Sequence, residues 1–531
     1  MGTLWRNGTI YTMQHEGHHV EAVLTENGLI KGLGTSEELE QKFTIDSVVD
    51  LEKKIMFPGF VDSHMHLIGH GETLMRLDLS SMNSKREVLD AIKEKAKGVE
   101  EGKWIIGEGW NENLWSDAAV LTKQEIDGVV PNHPVLLKRI CRHAMVVNSL
   151  AFKHAGIDEN TPNPAGGLIE RDDEGGLNGL LKDKAQDLMV DALPAISSEY
   201  LVEALTKGIE SCWEHGLVGG HTEDLSYYGN FKKTYNAFLE TINEGKRKFR
   251  AHLLVHHEVI EDWKEDGHQF LSGNEFIEFG AMKIFADGAL GGRTALLSYP
   301  YADDPSKTGV SIHTNERLLE LVKKARKYEL PIAVHTIGDQ AFENVVDSIL
   351  EAPTLHGRRD RLIHAQILRK ELIEKIKGLP LILDIQPRFV ASDFPWVVER
   401  LGKENMKYNY AWKTLLDVGI PCAGGSDAPI EPINPLWGIH AAVTRTNPLD
   451  SERTVYRPEE KLTMYEAISL FTKGSAYACH HEQDRGEIRE GYTADFTVLD
   501  IDPFTVETDQ ILGKVVDMTI VDETIVYKKN K

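Results

Sequence analysis

The segment Pro58-Gly59-Phe60-Val61-Asp62-Ser63-His64-Met65-His66 closes a short apolar run with a His-x-His pair. Side chains alternate across a strand, so His64 and His66 project to one face and Met65 to the other. By itself such a pair carries little weight in a chain with 22 histidines. Three later apolar runs, however, also end in a metal-competent residue: Ala333-Val334-His335, Leu362-Ile363-His364 and Ala423-Gly424-Gly425-Ser426-Asp427. Two imidazoles on one face, joined by two more and a carboxylate from other strand ends, describe a divalent metal site. The chemistry implied is hydrolysis.

These residues need a scaffold that gathers strand ends. Candidate strands are 59–64, 216–222, 250–256, 281–285, 331–335, 361–364, 381–386 and 421–425, and segments such as 316–328 and 341–350 have helical spacing. Eight βα units in series predict an α/β fold of the TIM-like (β/α)8 barrel type, whose active sites form at the C-terminal strand ends. The first and second strands are separated far beyond a normal connection, which predicts an insertion over 70–195 beside the barrel mouth. Within it, Ser84 with Glu87 reads as a capping box, Asn148 as a helix start, and the glycines at 166–167 and 175–179 as a hairpin. Residues 1–57 and 485–531 are both β-rich, with Asn-Gly steps at 7–8 and 27–28 favouring hairpins. They predict one small β domain built from both termini, leaving 58–484 to the barrel.

Lys283 lies inside the fourth strand, in Gly-Ala-Met-Lys-Ile-Phe-Ala-Asp-Gly. A protonated amine has no lone pair to offer and is repelled by a cation. Either Lys283 stays at the rim, paired with Asp287, or its neutral amine reacts with carbon dioxide to give an anionic carbamate that bridges two metals. The metal segments, together with Gly-Glu-Gly-Trp-Asn (107–111), His143 with Asn148-Ser149, Gly-Gly-Ser-Asp-Ala-Pro (424–429) and the closing 486–500 stretch, resemble the amidohydrolase superfamily. The subgroup resembled is that called amidohydrolase 3, which includes N-substituted formamide deformylases. The resemblance implies that His64 and His66 bind the more buried metal and Lys283, as a carbamate, bridges. It implies that His335 and His364 bind the second metal, and that Asp427 binds the first and exchanges a proton. The expected reaction is cleavage of a carbon–nitrogen bond other than a peptide bond, of amide or formamide type, by metal-activated hydroxide with Asp427 as proton shuttle. Zinc suits the donor set, one or two ions per chain.

Softer candidates are Asp339, either orienting a ligand histidine or capping the helix that follows, and Trp110, Asn111, His143 and His221 as substrate contacts; Arg139 and His143 would share one strand face. A small-molecule substrate is the expected partner. A net charge of −24 excludes nucleic acid and anionic membrane, both of which need basic surface. Cys141, Cys212, Cys422 and Cys479 show no C-x-x-C spacing and read as core thiols of a reducing compartment. With no signal-like or membrane-spanning run, a cytoplasmic enzyme is expected, with a homo-oligomer open. The rival readings are a mononuclear heterocyclic deaminase, which Lys283 disfavours, and a non-catalytic metal-binding scaffold, which the complete ligand set disfavours.

Overall fold

Eight apolar runs pair in chain order into one parallel sheet: Phe60–Met65, Leu217–Thr222, Arg250–His256, Ile277–Phe285, Ile332–Thr336, Asp360–His364, Leu381–Ile385 and Cys422–Gly424. The computed structural model describes residues 2–115, 120–140, 143–190, 192–193, 195–243 and 247–530. Nearly every residue in these strands is buried, as expected where helices cover one face and a barrel core fills the other. The eighth strand returns to the first through main-chain bonds just beyond its end: Asp427 N donates to the His64 carbonyl and His66 N to the Ala428 carbonyl, each at 2.8 Å. The fold is a TIM-like α/β barrel. All eight expected strands are present; the fourth begins four residues before its predicted start, with a bulge in its pairing to the third.

The covering helices start where chain chemistry provides caps. Asn315–Lys327 is capped by Thr314, whose hydroxyl accepts from Arg317 N. Asp339–Glu351 starts after Gly338, with no side-chain cap. The expected cap, Asp339, is instead the first helical residue, and its buried carboxylate accepts from Ser298 N at 2.9 Å and pairs with Arg369 at 2.7 Å. Inside the barrel, Leu254, Ala281, Ala333 and Ile363 form a small apolar cluster. Beside them Arg361 is fully buried: Nε donates to Asp384 at 2.8 Å and Nη2 to the Ser63 carbonyl at 2.6 Å.

Strands from both termini share one six-stranded sheet, in which Ile55–Pro58 lies between Thr9–Tyr11 and Phe496–Leu499. A second sheet holds Gly2–Arg6, Ala22–Glu26, Leu29–Gly34 and Ser47–Asp50. The Asn27-Gly28 step turns an antiparallel hairpin as expected. Asn7-Gly8 does not: Gly2–Arg6 and Thr9–Tyr11 belong to different sheets, so that turn passes the chain from one to the other.

The chain divides into two compact units, Met1–His70 with Ser198–Lys531, and Gly71–Ser197. The terminal sheets thus fall in one unit with the barrel. The second unit has its own six-stranded sheet and apolar core. Its hairpin, Gly167–Arg171 with Leu177–Asp183, and its helix Ser149–Ala155 capped by Asn148 lie where the sequence placed them. Ser84 accepts from Glu87 N, but Glu87 reaches back to Asn83 N rather than to Ser84, so the box is half formed.

Candidate metal centre

Five of the six expected ligands converge at the C-terminal strand ends through side-chain contacts, and Lys283 joins them from the fourth strand. His64 is the penultimate residue of the first strand and His66 lies just past its end, their rings 5.6 Å apart. Asp427 follows the eighth strand, and its Oδ1 lies 3.5 Å from Nε2 of both His64 and His66. Lys283 Nζ, fully buried, lies 3.3 Å from His64 Nε2. His335 and His364 end the fifth and sixth strands, with Nδ1 of the first 2.9 Å from Nε2 of the second.

For His66, His335 and His364 the partner behind the ring fixes where its proton must be. His66 Nδ1 donates to the Glu223 carbonyl at 2.8 Å, leaving Nε2 as a lone pair facing the Asp427 carboxylate. His364 Nδ1 donates to Gln386 Oε1 at 2.7 Å, and His335 Nε2 to the Gly288 carbonyl at 3.0 Å. The atoms these two rings turn toward each other are then both lone pairs. Two lone pairs at 2.9 Å repel unless a cation lies near both. The donor set therefore fits divalent metal, with His64, His66 and Asp427 as one group and His335 and His364 as another.

The electrostatics agree. Burial, reinforced by Lys283, holds His64 well below the usual imidazole value, and burial beside His364 does the same for His335. Burial brings His364 down to about 4. These three are neutral, as ligands must be. For His66, burial is outweighed by the hydrogen bond and charge of Asp427, which with Glu223 and Asp224 raise it to about 9: with no metal, a proton takes the place between ring and carboxylate. Burial would raise Asp427, but His66, His364 and Lys283 hold it below the ordinary range, so it is a carboxylate. Burial lowers the Lys283 amine to about 8.

Backbone geometry sets the carboxylate. Asp427 has φ 58° and His364 φ 77°, left-handed values that cost non-glycine residues about 1–3 kcal/mol and cluster at functional sites. Asp62, which the sequence reading quoted without a role, is buried and accepts from His64 N at 3.0 Å and Ser426 N at 3.0 and 3.1 Å, bracing both ligand segments. Gly425 makes this approach possible, since a Cβ there would lie 2.6 Å from His64 N. Glu223 and Gln386 were also missed. Asp287 does not pair with Lys283; it accepts from the main-chain N of Leu296, Ile337 and Gly338 at 2.8–3.0 Å, holding the turn after His335.

The tentative substrate contacts have partners of their own. Trp110 is 1% exposed, its indole donating to the Leu137 carbonyl within the second unit's core, so it is a packing residue. Asn111 caps the turn Glu112–Leu114. Strand Val135–Arg139 ends before His143, which is exposed beside Asp183, so Arg139 and His143 do not share a strand face; Arg139 pairs with Glu112. His221 is buried against His252, ring centroids 4.9 Å apart, and its charged neighbours are Arg361, His252, His481 and Arg485, none of them in the metal cluster. Cys212, Cys422 and Cys479 are buried free thiols; Cys141 lies outside the described residues. Among the described residues, no helix is long and apolar enough to cross a membrane.

Residues 47–527 match the model of the Amidohydrolase family. The chain is 52% identical over 532 residues to "Putative amidohydrolase YtcJ" of Bacillus subtilis (strain 168), covering the whole of both. It is 26% identical to N-substituted formamide deformylase of Arthrobacter pascens, over 98% of each chain. Among solved structures, an uncharacterized metal-dependent hydrolase from Pyrococcus horikoshii OT3 matches with a TM-score of 0.80 and 28% identity, over 96% of this chain and 99% of that one.

Proposed function

Because the chain belongs to the amidohydrolase family, we propose that this metal-dependent hydrolase cleaves a carbon–nitrogen bond other than a peptide bond, of amide or formamide type. The observation that carries the proposal is the facing pair of imidazole lone pairs at 2.9 Å beside the His64–His66–Asp427 group, a donor set for two ions with Lys283 close by. The likeness to a formamide deformylase supports the bond type.

A divalent ion bound here, zinc by donor chemistry, supplies Lewis acidity toward a carbonyl oxygen and acidifies water. The residues do the rest. Asp427, ionised and pinned by its main-chain bond to His64, accepts the proton of the attacking water and returns it to the departing amine nitrogen. Glu223, Gln386 and Gly288 hold the ring protons away from the site, so each imidazole presents its lone pair. Lys283 would join the ligands as a carbamate: its neutral amine would bond to the carbon of carbon dioxide, one N–H proton would leave to solvent, and the resulting anion would offer two oxygens to metal. An amine lowered to about 8 has a sizeable neutral fraction near neutral pH.

The test is a panel of N-substituted formamides, N-acyl amines and aminoheterocycles offered to metal-loaded protein. Release of formate or another carboxylic acid together with a primary amine is expected. Ammonia from an aminoheterocycle, with no acid from any amide, would overturn the bond assignment in favour of deamination.

A further inference from the structure

Away from the catalytic ligands, toward the strand starts at Gly59 and Ala251, the barrel floor and the segment 472–495 border a cavity of about 40 Å³ lined in part by His221, His252, Glu278 and Cys479. Side-chain ligand atoms of His252, Glu278 and Cys479 all lie within 4.8 Å of one another. Imidazole, carboxylate and thiol converging in a closed space are unusual in a barrel floor, where apolar side chains ordinarily fill the volume.

Two further observations point to a ligand. His221 is 2% exposed and borders the same cavity, yet its Nδ1 has no hydrogen-bond partner. A buried orphan nitrogen is costly unless something occupies the space beside it. The carboxylate is also held from behind, as metal-ligating carboxylates are: His481 Nε2 donates to Glu278 Oε2 at 2.8 Å, and His481 Nδ1 faces Asp484 at 3.0 Å. The catalytic centre offers an internal comparison, with donor atoms 2.9–3.5 Å apart and a partner behind His66, His335 and His364. His252 Nδ1 donates to Glu278 Oε1 at 2.8 Å, which already brings imidazole and carboxylate side by side.

We propose that His252, Glu278 and Cys479 hold one borderline-soft divalent cation of the zinc class, a structural site tying the segment after helix Ser475–Ala478 to the barrel floor. The mixed nitrogen, sulfur and oxygen set selects such an ion over magnesium or calcium, which take oxygen alone. His221 or a water completes a four-coordinate shell, for either of which the cavity has room. Burial pushes the Cys479 thiol up to about 12, so it stays protonated unless a cation stands beside it. On binding, the S–H bond breaks, the sulfur keeps the electron pair as the thiolate ligand, and one proton leaves to solvent. Ring and carboxylate bind with no change of charge.

The site differs from the catalytic one in having sulfur, which makes the test selective. In the full chain reconstituted with cobalt, a thiolate-to-cobalt charge-transfer band is expected in the near ultraviolet. It should persist in the His64→Ala/His66→Ala double variant and vanish in Cys479→Ser, with about one divalent ion per chain fewer. X-ray absorption of the zinc-loaded double variant should show sulfur in the metal shell, a readout that needs no cysteine substitution. No band in the wild type, a band and ion count unchanged by Cys479→Ser, or a shell of nitrogen and oxygen alone would overturn the proposal and leave the cluster a hydrogen-bonded network only.

Discussion

Asp427 carries two duties that a single substitution separates. An asparagine keeps the size and one oxygen donor but cannot take a proton from water at neutral pH. Asp427→Asn is expected to retain most bound metal while kcat falls by at least about 10²-fold, the lower end for general acid–base catalysis. Near-normal turnover with metal confirmed by elemental analysis would remove the residue from proton transfer. Lys283→Ala should lose the second ion and most activity, and short carboxylic acids added to the assay should restore part of both. Unchanged metal content in that variant would contradict the bridging role. At this scale the clustering of these residues was legible because metal chemistry restricts residue type and strand ends restrict position. Glu223, Gln386 and Asp62 were not, because their work depends on partners far away in sequence: His66 with Glu223, His364 with Gln386, and Ser426 with Asp62.

The barrel strands were readable as short apolar runs before turn signals, and their ends held to within a few residues. What periodicity cannot show is which sheet a strand joins: the same Asn-Gly step makes a hairpin at 27–28 and a change of sheet at 7–8. Nor can composition tell that the Trp110 indole turns into a core. One long-range tie is testable. Arg250, at the start of the third barrel strand, donates from Nε and Nη2 to Asp495, just before strand Phe496–Leu499, at 2.5 and 3.0 Å, with both side chains buried. Removing one partner of such a pair costs about 3–5 kcal/mol, because the other charge stays buried. Burial would raise Asp495, yet the charge and hydrogen bonds of Arg250 keep it below its ordinary 3.8. Its contribution is therefore complete above about 3.8 and is lost as pH falls through the lower folded value. Asp495→Asn should lower the denaturation midpoint at neutral pH and shrink the difference from wild type in strong acid; a constant difference across that range would contradict the pairing.

At the scale of the whole chain, the N- and C-terminal segments complete one another. Strand Ile55–Pro58 runs straight into the first barrel strand, which carries His64, and has Phe496–Leu499 along one edge. Deleting 485–531 strips that edge and exposes apolar surface, so hydrogen-exchange protection at 55–58 and 9–11 should fall with it. Protection that survives the truncation would show that the N-terminal strands fold without their partners.

The central claim is that hydrolysis depends on divalent metal held by the clustered histidines and Asp427. Its most direct test is to strip the full chain with chelator and titrate zinc back while following both bound metal and amide hydrolysis. The account predicts no turnover in the stripped protein and recovery that tracks about one to two ions per chain, as in two-metal hydrolases; in His64→Ala/His66→Ala no amount of zinc should restore it. Full activity in metal-free protein, or in that double variant, would contradict the account.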